Sequence, residues 1–456
     1  MAGQYPGQCP GQCPRVAALS LGCKVNAYDT EAMLALFAQK GYEIVPFDSR
    51  ADVYLINTCT VTNIGDKKSR QMIRRACKQN EEAIVVACGC YSQLNPEEAG
   101  RIPGVSLILG TGERGRVVEL VEQLEHRRGD RRGAARAVAD IARERAYEPI
   151  TLGNGRLTDR TRAFIKIEDG CDRFCTYCAI PYARGPVRSR RPEQVLAEVE
   201  KMAALGCKEI VLAGIHVASY GKDLKDMDTN LASLLTLVHE IKGIQRLRFS
   251  SMEPTLMDGS FLRVIRDLPK VCDHFHLSLQ SGCDATLKRM NRRYGVQAYR
   301  QAIEGIRAAF PRTGLTTDMI VGFPGETDKE FAESCAFAEE MQFSKIHVFP
   351  FSAKKGTPAA GFPDQMPEPV KAERARRLTA ISDKAREAFL RQWIGRTLSV
   401  LFEQQSAYNL YEGHAANYAR IKAAADHNAV NQIWNARVLS VEGDWLNAEL
   451  IDRAEE

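Results

Sequence analysis

Apolar positions along the chain change period several times, and each change marks an element. Residues 16–21 form a short apolar run of the kind a buried strand shows, while 27–40 carry apolar side chains at helical spacing. Runs at 53–56 and 83–87 predict two further strands, with a basic helix over 66–79 between them. Strands alternating with helices imply a parallel sheet covered on both faces. From residue 158 the rhythm returns, longer and more regular. Strands at 164–167, 209–213, 246–250, 274–279, 316–321 and 345–349 alternate with helices. The first of these helices opens with Pro192 at N1 and aligns Val195, Leu196, Val199 and Met202 on one face. Six βα units suffice for a partial (β/α)6 barrel, in which chemistry sits on loops at the C-terminal ends of strands. A charged helix over 369–392 precedes alternating segments at 397–403, 416–422, 434–441 and 445–450, which predict a small antiparallel barrel.

The expected fold class is therefore α/β with three folded parts: an N-terminal parallel αβ domain (15–125), a partial barrel (158–388) and a C-terminal antiparallel β-barrel (389–456). Residues 1–14 repeat GQCP and read as a flexible extension in which Cys9 and Cys13 are idle. Residues 126–157 read as a linker. Seven arginines fall between Arg127 and Arg145, opposed by Asp130, Asp140 and Glu144, which suits either a solvated surface or a phosphate backbone.

Composition narrows the class without deciding it. With 45% hydrophobic and 26% charged residues the chain is an ordinary globular one, and a net charge of +5 neither announces nor excludes a nucleic-acid partner. No apolar stretch approaches the ~20 residues of a membrane span, and the N-terminus lacks the charged-then-apolar pattern of an export signal. The cytoplasm is the expected location, where thiols stay reduced. The 14 cysteines then point to metal or catalysis more than to disulfides.

The densest signal is Cys171-Asp-Arg-Phe-Cys175-Thr-Tyr-Cys178. Three thiolates so spaced can each bind one iron of a [4Fe–4S] cluster, and the next cysteine, Cys207, lies across a full helix. One iron would stay open to an exogenous ligand. A zinc site or buried thiols are the alternatives, and zinc lacks an adjacent fourth ligand. A dispersed set follows three strands of the N-terminal sheet: Cys23 in LGCKVN, Cys59 in NTCTVT and Cys90 in ACGCYSQ. Thiols after parallel strands converge at the sheet's C-terminal edge, where open α/β sheets bind ligands. Cys88 competes with Cys90, since alternation along the strand end puts both on one side. Cys77, Cys207, Cys272, Cys283 and Cys335 fit helices, strand edges or turns.

CxxxCxΦC with Tyr177 at Φ resembles the radical S-adenosylmethionine (SAM) superfamily. The resemblance implies that the open iron chelates SAM and that cluster-driven cleavage yields a 5′-deoxyadenosyl radical. LAGIH ending at His216 occupies the place of the superfamily's methionine-amino-group motif, departing from it at Ala213–Gly214. DMIVGFPGE, 318–326, resembles its adenine-side motif. Implied SAM or substrate contacts are Tyr177, Gly214, Glu253, Gln280, Asp318 and Gly322.

LGCKVNAYDTE, NTCTVT and GCYSQ are similar to the N-terminal domain of the methylthiotransferases, where three cysteines hold an auxiliary [4Fe–4S] cluster. The family pattern sets its third ligand directly after Gly, which favours Cys90. YEGHAANYARIKA resembles a TRAM domain, an RNA-binding module, so that Tyr418 and Arg420 become RNA contacts, with Tyr411, Trp434, Trp445, Lys422 and Arg437 nearby. Arg184, Arg188, Arg190 and Arg191, after the cluster loop, would meet phosphates or form salt bridges on the barrel rim.

Within that family, GCDRFCTYCAIPYARGPVRSR, LAGIHVASYGKD, SSMEP and HLSLQSGCDATLKRMNRRY resemble the branch acting on N6-threonylcarbamoyladenosine (t6A) in tRNA. The implied activity is a transferase that adds a methylthio group to adenine C2 of t6A at tRNA position 37. It would use two [4Fe–4S] clusters and two molecules of SAM, with tRNA, a reductant protein and a sulfur source as partners. C2 carries a C–H that no side-chain base usefully ionises, so the cofactors supply the hard chemistry. Alternatives are isopentenyladenosine in tRNA, an aspartate of a ribosomal protein, or a non-catalytic iron–sulfur RNA-binding protein.

Overall fold

The computed structural model describes residues 13–126, 133–153 and 161–453. They divide into two compact units. The first is 1–157 with 170–172 and 179–186; the second is 158–169, 173–178 and 187–456. The expected core barrel and C-terminal barrel thus fall largely within one unit, and two short pieces, one holding Cys171 and one after the cysteine motif, group with the other.

The first unit is built on six strands: β1 (Arg15–Ser20), β2 (Glu43–Val45), β3 (Val53–Thr58), β4 (Ile84–Gly89), β5 (Val105–Leu109) and β6 (Ala135–Ala137). They pair in parallel in the order β2-β1-β3-β4-β5-β6. Every residue of β3 and β4 is buried, as a central parallel strand covered on both faces requires. One face packs Tyr54, Ile56 and Val85 with Ile73 and Ala76 of helix Asn63–Gln79; the other packs Leu55 and Val86 with Met33 and Phe37 of helix Lys24–Gln39.

Part of the expected linker is structured. β6 pairs with β5 through Leu107–Ala135 and Leu109–Ala137, so three residues of 126–157 form the sheet edge. Arg127, Arg128, Arg131 and Arg132 lie outside the described residues, as do 1–12, including Cys9. Of the other arginines in the run, Arg136 pairs with Glu97, Arg143 with Asp140, and Arg145 donates to the Ala142 carbonyl.

The second unit begins with β7 (Arg162–Lys166) and a two-residue ladder of β8 (Glu168–Asp169) and β9 (Arg188–Ser189). Then come β10 (Glu209–Ala213), β11 (Arg246–Phe249), β12 (His274–His276), β13 (Gly314–Val321) and β14 (Lys345–Pro350). They form two parallel three-stranded sheets, β11-β10-β7 and β12-β13-β14, joined by single parallel bridges at Leu247–Val271 and Met252–Leu277. That is the six-stranded partial barrel the periodicity predicts.

Five strands close the C-terminal barrel: β15 (Thr397–Ala407), β16 (Leu410–Ala415), β17 (Arg420–Ala424), β18 (Ile433–Glu442) and β19 (Trp445–Arg453), in the order β15-β16-β17-β19-β18. The strand expected at 416–422 is instead the turn between β16 and β17 plus the start of β17. Tyr418 there has φ of 70°, a left-handed conformation that ends strand pairing.

Buried arginines tie this barrel to the larger one. Arg246 donates to the His414 carbonyl and Ser399 Oγ, and Arg248 to the carbonyls of Ala415 and Ala416. Glu209, itself buried, lies 2.9 Å from Arg248. Burial opposes ionisation of Glu209, but the charges of Arg248, Arg162 and Arg246 outweigh it and hold its carboxyl below the usual range.

Candidate active site

In the first unit each of three thiols follows a strand, and glycine makes two of those turns possible. Gly22 has φ of 96°, and a side chain there would meet Cys59 Sγ at 2.8 Å. Cys23 directly after it stands at the N-cap position of helix Lys24–Gln39. Gly89, at the end of β4, has φ of 89°, and a Cβ would collide with Asn57 Oδ1 and come within 2.6 Å of the Thr58 carbonyl. Only glycine fits, and the chain turns there to start helix Cys90–Leu94. Burial pushes the Cys90 thiol up to about 11, with Arg184 drawing it back and the neighbouring thiols of Cys23 and Cys59 adding to the rise. Burial likewise raises Cys59, which also feels Cys23 and Arg184. The three thiols therefore occupy one electrostatic neighbourhood.

Cys88 feels Cys90, Asp29 and Arg114, but its thiol is aimed elsewhere. Its Sγ points to the Ile56 carbonyl at 3.4 Å, and it packs with Leu55, Val86 and Phe37 in the apolar layer. The turn at Gly89 undoes the simple alternation that would set Cys88 and Cys90 side by side.

Arg184 completes this neighbourhood. It is fully buried, and it donates from Nε to Cys90 Sγ at 3.3 Å and from Nη2 to Asn26 Oδ1 at 2.5 Å and Asp29 Oδ2 at 3.2 Å. Arg114 pairs with the same Asp29 carboxylate. Expecting Arg184 to meet phosphate is thus corrected: its guanidinium is spent on a thiol and a buried acid. Arg188 and Arg190 are corrected with it. Both are buried, Arg188 on the β8–β9 ladder and Arg190 against Glu198, so neither presents a charge to RNA. Arg191 is exposed and pairs with Asp226.

The CxxxCxxC stretch has no regular structure, and backbone and side-chain bonds to flanking loops hold it instead. Cys171 N–H donates to the Gly185 carbonyl, beside Gly170, whose Cβ position is filled by the Pro186 carbonyl. Phe174 takes a left-handed φ of 48°, and Asn291 Nδ2 donates to its carbonyl at 3.0 Å. Thr176 is fixed to Met290 and Arg289 by backbone and hydroxyl bonds. Arg292 Nη1 donates to Cys175 Sγ at 3.2 Å. Tyr177 packs against the apolar group Met290, Phe323 and Phe351.

The residues nominated for SAM contact also have partners within the chain, and Glu253 reaches the cysteine loop through Arg173. Glu253 lies 2.7 Å from Arg173, 3.1 Å from His216 and 3.4 Å from Arg292. Burial disfavours its charge, but His216, Arg292 and Arg173 prevail and hold the carboxyl at about 2. Gly214 leaves room for Glu168, whose Oε2 would sit 2.6 Å from a Cβ and which accepts the His216 backbone N–H at 2.7 Å. Gln280 has φ of 73° and bridges to Met319. Asp318 accepts from His276 Nε2 at 3.1 Å. Gly322 (φ 69°) lets the Lys371 side chain approach within 2.5 Å of a Cβ position, and its N–H donates to Glu326 Oε2.

Sequence reasoning missed Arg173, Arg292 and Glu168. Arg173 and Arg292 lie in the quoted segments, but nothing local joins Arg292 to a cysteine 117 positions earlier.

In the C-terminal barrel, Tyr418 is corrected as an RNA contact. Its ring stacks on His274 at 4.5 Å and His414 at 4.6 Å, and its hydroxyl accepts from Arg162, so both faces are used within the chain. Arg420 is exposed and lies 3.7 Å over the Trp445 ring, with Lys422 at 4.6 Å from the same ring. Trp434 packs at the edge of the barrel core.

Comparison with known proteins gives the family. Residues 165–338 match the Radical SAM superfamily and residues 15–110 the uncharacterized protein family UPF0004. The chain is 41% identical over 429 residues to the threonylcarbamoyladenosine tRNA methylthiotransferase MtaB of Bacillus subtilis, covering 93% of each chain. The chain belongs to the radical SAM methylthiotransferase family. MtaB of Aquifex aeolicus is 39% identical, with 86% of this chain and 93% of the relative covered. A tRNA-2-methylthio-N(6)-dimethylallyladenosine synthase of Bacillus licheniformis is 34% identical, with 95% and 85% covered. The fold of this methylthiotransferase also resembles the radical SAM methyltransferase TsrM of Kitasatospora setae, with a TM-score of 0.56 at 14% identity over 76% of this chain and 77% of that one.

The donor sets fit the clusters such an enzyme uses. Thiolates are the protein ligands of [4Fe–4S] clusters, and an adjacent guanidinium stabilises the negative charge a ligated thiolate brings. In this methylthiotransferase each set of three cysteines has one: Arg184 at Cys90 and Arg292 at Cys175.

Proposed function

We propose that this chain adds a methylthio group to C2 of N6-threonylcarbamoyladenosine at tRNA position 37. The observation that carries the reading is 41% identity to a threonylcarbamoyladenosine methylthiotransferase across 93% of both chains. Cys171, Cys175 and Cys178 would hold the cluster that binds SAM, and Cys23, Cys59 and Cys90 the auxiliary cluster. When bound, these groups supply a carbon-centred radical, a transferable sulfur and a methyl group.

The chain's own residues do the positioning. Arg173, His216 and Arg292 converge on Glu253 and fix the first loop, while Arg184 and Asn26 fix the second set. Holding a reacting carbon in a prepared geometry converts a difficult encounter into a local step. Exposed Arg420, with half-buried Lys422 and Trp445 beside it, forms the cationic and aromatic patch that would meet RNA. A reductant protein and a sulfur source would complete the cycle. No helix among the described residues is long and apolar enough to cross a membrane, and we place the enzyme in the cytoplasm with its tRNA.

The test is nucleoside mass spectrometry of tRNA from a strain deleted for this gene. Loss of 2-methylthio-t6A, restored by the wild-type chain, is expected. Unchanged 2-methylthio-t6A with loss of 2-methylthio-isopentenyladenosine would overturn the substrate assignment in favour of the second group of relatives.

A further inference from the structure

Three strands of the second unit assemble ligating side chains that neither cysteine set uses. His276 on β12, Asp318 on β13 and His347 on β14 come from adjacent parallel strands, and the register sets Asp318 directly beside His347. One ligand atom from each, two imidazole nitrogens and a carboxylate oxygen, lies within 4.8 Å of the other two. Along β13 Asp318 and Ile320 are partly open while Thr317, Met319 and Val321 are buried. His347 is exposed. The three therefore share the accessible side of the sheet.

We propose that His276, Asp318 and His347 form a binding site for one divalent metal ion. Two imidazoles and a carboxylate on one side are a donor set suited to first-row divalent ions, and they leave the remaining positions open to water or to an oxygen of a bound substrate. Adjacent ligands about 2.1 Å from an ion stand ~3.0–3.4 Å apart, so the set closes around a metal with a movement of up to ~1.8 Å. The exposed His347 can make that movement by side-chain rotation.

An outer partner is in place as well. Thr316 Oγ1 lies 2.9 Å from His276 Nδ1, which directs Nε2 toward Asp318 at 3.1 Å. Metal-ligating histidines are commonly oriented in this way through their second nitrogen. The site is chemically separate from the cysteines, because nitrogen and oxygen donors accept Mn2+, which thiolate sites disfavour.

The test is anaerobic titration of the reconstituted, desalted holoenzyme with Mn2+, reading free Mn2+ from its six-line EPR signal. One saturable ion per chain is expected, lost in Asp318→Asn and in His347→Gln with cluster iron content retained. Thr316→Val touches no ion and should weaken binding by about 10-fold, and it serves where a ligand variant loses cluster iron. Absence of saturable binding by wild type, or wild-type binding by these variants, would overturn the proposal and leave a hydrogen-bonded cluster only.

Discussion

The two cysteine sets solve the same ligation problem by opposite means. Cys171, Cys175 and Cys178 are close in sequence but sit on a backbone with no ladder to hold it, so distant side chains clamp it: Asn291 on the Phe174 carbonyl, Glu253 on Arg173, Arg292 on Cys175. Cys23, Cys59 and Cys90 are far apart in sequence but ride on a buried parallel sheet whose strand ends are fixed already. What that set needs is backbone freedom at the turns, and Gly22 and Gly89 supply it. The compact motif leans on side-chain clamps, whereas the dispersed one adds glycine turns to the clamp that Arg184 provides.

The largest effects should come from the ligands themselves. Alanine at Cys171, Cys175 or Cys178 should abolish 5′-deoxyadenosine formation. Alanine at Cys23, Cys59 or Cys90 should leave that cleavage measurable and remove the methylthio product, both followed by liquid chromatography with mass detection. Cys88→Ala belongs to neither class. It removes a buried sulfur from the apolar layer and should retain product. Product from Cys90→Ala but not from Cys88→Ala would reverse the assignment drawn from the turn at Gly89.

The backbone half of the comparison is tested at Gly89. Ala there must take a left-handed φ and push on Asn57 and the Thr58 carbonyl, costing about 4 kcal/mol from strain and overpacking together. Gly206 is the control. Its φ is 84°, but no atom lies within 4 Å of a Cβ, so Gly206→Ala should cost only about 1–2 kcal/mol. Urea midpoints of the two variants compare the sites directly. Equal losses would mean that close approach adds nothing to the strain.

The arginines carry the next largest effect. Arg184→Gln removes one of the arginines paired with Asp29 and a positive charge from Cys90, destabilising by about 3 kcal/mol. Losing that charge should also lower the midpoint potential of the auxiliary cluster and leave the SAM-binding cluster unchanged. Arg292→Gln should do the reverse. Potentiometric titration followed by EPR separates the two, and a shift of both clusters by either variant would show that the guanidinium groups act through the fold and not locally.

Much of this was legible from period and spacing. The strands at 209–213 and 345–349 and the helix at 328–341 agree with β10, β14 and helix Asp328–Met341 to within a residue. Convergence of Cys23, Cys59 and Cys90 followed from their places after parallel strands. The errors share a physical origin. Arg184 and Tyr418 have compositions that suit RNA, and a sequence does not say that a guanidinium meets a buried thiol or that a ring is already stacked on both faces. Those partners stand far away along the chain, as Arg162 and Tyr418 do at a separation of 256. β2 and β6, three residues each, carry too few positions for a period to register, and their strand character comes from the neighbours they pair with.

The smallest effect concerns the clamp at Glu253 and appears only in acid. Its folded carboxyl titrates at about 2, against about 4.3 for a free glutamate. Between those values the folded chain keeps the charge while the unfolded chain takes up a proton, so stability falls as pH drops. The contribution is complete above the unfolded value and should have lost about 1 kcal/mol by pH 3.5. Glu253→Gln cannot titrate, so its stability, lower at neutral pH, should decline less steeply over pH 5 to 3. Thermal melts of the two proteins across that range measure the difference in slope. Parallel slopes would mean that the ion pairs with Arg173, His216 and Arg292 do not hold the loop in solution, and the distinction between a clamped motif and a glycine-turned one would then rest on Arg292 and Asn291 alone.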